Sequence, residues 1–173
     1  MTWRMTLKLL LPAMLGMAFA GPASADNPGE WGGQVTDAYA FASITTDRHA
    51  LQVVCKNNVV TVAYYVLPEK LEADLKAAEY PYLVVMVDES GSGAGKYAAF
   101  GQSWTKSEKN WSLGLSGEPA KTLTKKMAAA RNNIVVGITR VSPDSAQYQK
   151  YEVERLTARG SGKYLKPILA RCS

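Results

Sequence analysis

The sequence predicts an α+β fold: an antiparallel β-sheet or sandwich with two or three peripheral helices. Two patterns lead there. Short runs rich in β-branched and aromatic residues recur between turn-forming residues. Longer segments carry apolar residues at helical spacing with charges opposite.

In chain order, Asp26 to Gln34 (DNPGEWGGQ) is glycine-rich and polar and reads as a flexible leader, with Trp31 as a hydrophobic pin. A single β-rich domain is expected over 35–173. Ala38 to Ile44 and Ala50 to Cys55 are strands across the polar turn Thr45 to His49. Val59 to Val66 follows Asn57-Asn58, a pair that tolerates left-handed backbone in a tight hairpin. Pro68 to Glu79 reads as an amphipathic helix through Leu71, Leu75 and Ala78, with proline suited to the first turn. Leu83 to Val87 is a buried strand. Lys96 to Trp104 and Trp111 to Leu115 are two more, joined by Thr105 to Asn110.

Glu118 to Arg131 is the second helix. Ser116 or Gly117 caps it, Leu123 and Met127 mark its buried side, and Lys125, Lys126 and Arg131 complement its negative end. Asn133 to Arg140 and Tyr148 to Leu156 form a last strand pair across the turn Ser142 to Ser145. Ser161 to Ala170 is a short helix that Pro167 interrupts or delays.

Arg4 and Lys8 precede an apolar run from Leu9 to Ala20, and Ala23-Ser24-Ala25 offers a small-residue cleavage site. This is the order of a secretory signal peptide, 1–25, with cleavage expected before Asp26. The run of 12 residues is short of the roughly 20 that span a bilayer. A periplasmic or secreted protein without stable membrane insertion is expected.

The mature chain would hold 148 residues, enough for one core. Losing Arg4 and Lys8 lowers the net charge from +5 to +3. Basic residues are scattered among acidic neighbours, as in Pro68-Glu69-Lys70, so nucleic acid is excluded and only a weak preference for acidic partners remains. Cys55 and Cys172, the two cysteines, pair in an exported chain. The bond closes a loop of over a hundred residues and is worth about 4 to 5 kcal/mol in the chain-entropy picture. A redox role needs close spacing such as C-x-x-C, which the sequence lacks.

No catalytic cluster emerges. His49, the only histidine, sits in a polar turn and reads as solvated. Asp88-Glu89 offers paired carboxylates for a glycosidase, with either as acid or base of a hydrolase, or for a hard-cation site, yet neighbours on a strand point to opposite faces. Gly91 to Lys96 resembles a phosphate loop but has Ser90 where glycine, and Tyr97 where serine or threonine, is required. No metal or cofactor is expected. Tyr97, Phe100, Trp104, Lys106, Lys109 and Trp111 form an aromatic and basic cluster of the kind recognition surfaces use. Read as one strand, Lys96 to Trp104 puts Phe100 and Trp104 on one face and Tyr97 on the other. The candidate partner-binding residues are Ser92, Lys96, Tyr97, Trp104 and Lys106.

Two resemblances bear on function. The Ala-rich helix Ala120 to Ala130 leading into Ile134-Val135-Val136-Gly137-Ile138, and the ending Val153 to Cys172, resemble small exported bacterial proteins. These are the invasion-associated locus B kind and the TagO (VasI) kind associated with type VI secretion. Leu51 to Cys55 and Leu83 to Asp88 fit the same scheme. This resemblance implies a β-rich, non-catalytic binding or assembly protein of the cell envelope, its partner a protein there such as a secretion apparatus component. A shorter stretch, Cys55 with Val59 to Tyr65, Ser92-Gly93, Tyr97 and Trp104-Thr105-Lys106, is similar to periplasmic C-type lysozyme inhibitors. It implies a lysozyme as partner, with the loop serine and Lys96 or Lys106 entering the enzyme's cleft. The alternatives to an envelope binding protein are therefore a lysozyme inhibitor and, third, an envelope hydrolase.

Overall fold

The computed structural model describes residues 28–47, 49–66, 82–88, 96–99, 104–106, 111–139 and 150–173. These form an α+β fold of two antiparallel sheets and two helices. The strands are β1 (Trp31–Val35), β2 (Tyr39–Thr45), β3 (His49–Lys56), β4 (Val59–Val66), β5 (Tyr82–Val87), β6 (Lys96–Ala99), β7 (Trp104–Lys106), β8 (Trp111–Ser116), β9 (Asn133–Thr139) and β10 (Lys150–Thr157). The helices are α1 (Glu118–Ala129) and α2 (Ser161–Arg171). The six-stranded sheet runs β1-β2-β3-β4-β8-β7 and the four-stranded sheet β10-β9-β5-β6. The expected helix Pro68 to Glu79, the turn Ser142 to Ser145 and the leader before Pro28 lie outside the described residues.

The large sheet begins as a meander because each turn has its own chemistry. At Asn57 and Asn58 φ is 52° and 61°, the left-handed pair that a two-residue hairpin requires. The other two hairpins are closed by threonine: the Tyr39 amide donates to Thr36 Oγ1 (3.1 Å) and the His49 amide to Thr46 Oγ1 (3.2 Å). Glycine at 117, with φ 76°, turns the chain out of β8 into α1 while its amide donates to the Val60 carbonyl. Gly117 is the N-cap and makes no side-chain cap bond.

Register then builds one apolar face. Ala40, Cys55 and Val60 form one row across the large sheet; Ala42, Val53, Val62 and Leu115 a second; Ile44, Leu51, Tyr64 and Leu113 a third. All are buried. Both helices pack on this face and against each other, bringing Ala120, Leu123, Met127, Leu165 and Ile168 into the same core. The small sheet adds Leu83, Val85, Val87, Ile134, Val136, Ile138 and Leu156. Its opposite face carries a second buried cluster, Val84, Met86 and Val135.

Three differences from the sequence reading have physical causes. Trp31 to Gln34 is β1 and not leader: Trp31 is buried and its indole Nε1 donates to the Thr157 carbonyl at 2.8 Å, so the pin draws its neighbours into the sheet. The two described ends of the expected strand Lys96 to Trp104 belong to different sheets. β6 pairs with β5 in the small sheet and β7 with β8 in the large one, so the chain changes sheets between them. The faces expected for Phe100, Trp104 and Tyr97 lie outside what is described, since Phe100 is not among the described residues. Helix α2 runs through Pro167, which is exposed, so the carbonyl left without its amide partner faces water.

The α1–α2 contact is close because its residues are small. Ser161 Oγ donates to the Met127 carbonyl at 2.8 Å, and a Cβ on Gly162 would lie 2.8 Å from the Ala128 carbonyl oxygen. Gly162→Ala is therefore expected to lower stability by about 1 to 3 kcal/mol, read by chemical denaturation, although alanine is the better helix former. At the far end of α2, Cys172 is bonded to Cys55 of β3, with the Cα atoms 5.9 Å apart. Reduction, or replacement of both cysteines by alanine, is expected to cost about 2 to 5 kcal/mol. A thermal melt with and without reductant measures it; an unchanged midpoint in reductant, with the thiols shown to be free, contradicts the expectation.

Candidate functional site

The residues proposed for partner recognition fall on two sheet edges. Lys96 and Tyr97 lie in β6, opposite Met86 and Val85, at the edge of the small sheet. Trp104 and Lys106 lie in β7, opposite Leu113 and Trp111, at the edge of the large sheet. Ser92 lies outside the described residues, as do Glu89, Phe100 and Lys109. The strands next to these edges, β5 and β8, touch one another. The two edge strands therefore flank one junction between the sheets, four residues apart in the chain.

His49 is not a solvated turn residue. It is the first residue of β3 and only 3% exposed. Its alternation with Leu51, Val53 and Cys55 puts it on the inner face. There its ring stacks on Tyr64 with centroids 5.6 Å apart, and Nδ1 lies 3.0 Å from Glu154 Oε2. Glu154 reaches this point because its position on β10 is opposite Val136, on the core side of the small sheet. The pair joins the two sheets. An imidazole oriented by a carboxylate also occurs in general-base pairs, but here the ring is enclosed in the core. The alternation was visible in the sequence; the polar run before it concealed the meaning.

Asp88 is also spent on structure. It ends β5 with φ 55°, a left-handed conformation that aspartate tolerates. Its carboxylate accepts from the Asn132 amide at 2.7 Å and from the Arg131 amide at 2.9 and 3.1 Å. Its own amide donates to the Asn133 carbonyl. One side chain thus stitches the turn after α1 to the end of β5. The Asn132 amide, foremost, with those of Arg131 and Asn133 and the Arg131 charge, holds the carboxyl below the usual aspartate range against a smaller opposing effect of burial. A general acid needs the opposite shift.

Further polar pairing lies on the outer face of the large sheet. Tyr65 donates to Gln52 Oε1 at 3.3 Å, and burial pushes its phenol up. Tyr39 and Phe41 stack nearby on β2 with centroids 5.9 Å apart. Among the described residues no group of three or more His, Cys, Asp or Glu side chains is placed to hold a metal ion. No described helix is long and apolar enough to cross a membrane. The chain matches no family model, no curated protein and no solved structure.

The depressed Asp88 value has a sign that can be checked. Its stabilising contribution is fully present above the unfolded value near 3.8 and is lost as pH falls through the lower folded value. Asp88→Asn keeps the left-handed preference but removes the charge. It is expected to cost about 1 kcal/mol at neutral pH, a figure reduced for solvent exposure, with the gap to wild type closing in acid. Urea unfolding at several pH values tests this; a constant gap across that range contradicts the assignment.

Proposed function

We propose that this protein is a non-catalytic binding or assembly protein of the bacterial cell envelope, working in the periplasm or after secretion. One observation carries the reading: among the described residues, the histidine, aspartate and cysteines that the sequence offered for chemistry are already engaged in structure. His49 is enclosed between Tyr64 and Glu154, Asp88 is held by backbone amides, and both cysteines are bonded to each other. The disulfide supports an oxidising compartment, in keeping with the signal peptide read in residues 1–25.

In this reading the partner is a protein of the envelope and no cofactor is used. The binding surface centres on the edge strands β6 and β7 and the segment between β5 and β6, with Ser92, Lys96, Tyr97, Trp104 and Lys106 as its contacts. Sheet edges suit such work because their outward backbone groups are free to meet another chain.

Affinity purification from envelope extract, followed by mass spectrometry, identifies the partner. Ser92→Ala, Lys96→Ala and Lys106→Ala together are then expected to weaken its binding at least tenfold while the melting temperature holds. Unchanged affinity in the triple variant places recognition elsewhere. Assayed directly against a c-type lysozyme, inhibition at protein excess would favour the inhibitor alternative, and its absence would remove it.

A further inference from the structure

The fold gathers basic residues that the sequence scatters. Helices α1 and α2 with their flanking turns, 117–132 and 158–173, carry eight Lys and Arg side chains against one carboxylate, Glu118. That is a net +7 in a chain whose formal net charge is +5, so the remaining side chains sum to −2. The two helices form one layer on the inner face of the large sheet, and their outward faces are presented together.

Helical spacing places the charges more closely. Lys121, Lys125 and Ala128 lie at i, i+4 and i+7 on α1; Gly162, Lys166 and Leu169 do the same on α2. The stripes face each other, since Ala128 meets Gly162, and the helices run antiparallel because the end of α1 meets the start of α2. Lys125 and Lys166, mid-stripe and both exposed, therefore line the same seam. Lys163 is exposed one turn away, its Nζ 4.9 Å from the Tyr164 ring centroid. Among the described residues none of these four lysines has a carboxylate partner.

Stability does not account for this arrangement. Lys126, Arg131 and Arg171 sit at helix C-terminal ends, where a positive charge is favourable. Lys121 and Lys163 lie in or beside the first turns, at the positive ends of the helix dipoles, and α2 has no acidic residue there. Lys121 and Lys125 are like charges one turn apart, also unfavourable.

Three properties indicate the partner. The surface is a platform about 18 Å long and 20 Å wide, two helices side by side, which meets a plane along its whole extent and a nucleic-acid duplex along only a strip. Its exposed charge is mostly lysine, a hydrated point charge that is depleted from protein interfaces. The exposed positions of both helices lack large apolar anchors, as suits docking by electrostatics without insertion. We propose that the α1–α2 face is a peripheral docking surface for a bilayer rich in anionic phospholipid. It is separate from the β6–β7 edges and does not depend on the partner assigned to them.

The test is co-sedimentation of the exported, disulfide-bonded protein, its processed N-terminus verified by mass, with phosphatidylcholine vesicles with or without phosphatidylglycerol. Binding is expected only with phosphatidylglycerol and should fall steeply as salt shortens the Debye length. Each lysine near such a surface is worth about fivefold in affinity. Lys121→Gln, Lys125→Gln, Lys163→Gln and Lys166→Gln combined should therefore weaken binding by at least about a hundredfold, with the melting temperature retained. The control Lys56→Gln, out of phase with inward-facing Cys55 and so on the outer face of the large sheet, opposite the helices, should bind like wild type. No preference of the wild type for anionic vesicles would falsify the proposal. So would undiminished binding by the folded quadruple variant, or tighter binding to duplex DNA or to polyglutamate than to the vesicles at equal salt.

Discussion

A slip of one residue between β3 and β4 would turn Leu51, Val53 and Cys55 to the outer face of the large sheet. The helices would lose the surface on which Leu165 and Ile168 close, and Cys172 would lose its covalent partner. His49 would leave Glu154 at the same moment, because it occupies the same alternation. Register in the β2–β3–β4 meander is thus the constraint on which the other layers depend. Local chemistry sets it: two left-handed asparagines at one turn and threonine hydroxyls at the others. The disulfide adds covalent enforcement, since Cys55 can reach Cys172 only from the inner face.

The helices and the small sheet are oriented on the large sheet by polar contacts at the ends of their elements. Trp31 ties β1 to the end of β10, the Ala158 amide reaches the Asn132 carbonyl, Ser161 bonds to the end of α1, and Asp88 gathers the amides after it. These contacts lie where strand passes to helix or helix to strand, where backbone groups lose their regular partners. They fix the angle at which α1 leaves for β9 and at which β10 delivers α2. Burial of the apolar side chains supplies most of the stabilisation, while these bonds decide which arrangement of the layers receives it.

Much of this was legible in the chain. The β3–β4 hairpin, both described helices, the β9–β10 pair and the Cys55–Cys172 bond follow from turn residues, periodicity and an even thiol count, all local or combinatorial signals. What escaped was non-local. Lys96 to Trp104 reads as continuous strand, and nothing in its pattern marks a change of sheet. His49 was hidden by Thr45 to Arg48, whose polarity outweighed the alternation beginning at His49 itself. Asp88 looked like half of an acidic pair, and only the fold shows that it faces the amides after α1. Of the candidate recognition residues, the structure places four on edge strands flanking one junction, a relation their spacing in the chain does not reveal.

Charge gives the sharpest contrast between chain and fold. Along the sequence the basic residues are diluted by acidic neighbours, and the average bias is mild. Folding separates the signs because both helices turn their apolar stripes inward and α2 carries no carboxylate at all. The lysine array then depends on the covalent clamp at the far end of α2. Cys172 holds that helix against β3, and Ser161 with Gly162 holds its start against α1. Between those two fixed ends the backbone of α2 that carries Lys166 is held beside the stretch of α1 that carries Lys125. The disulfide therefore helps to keep the basic residues of the two helices on one face as well as fixing the chain end.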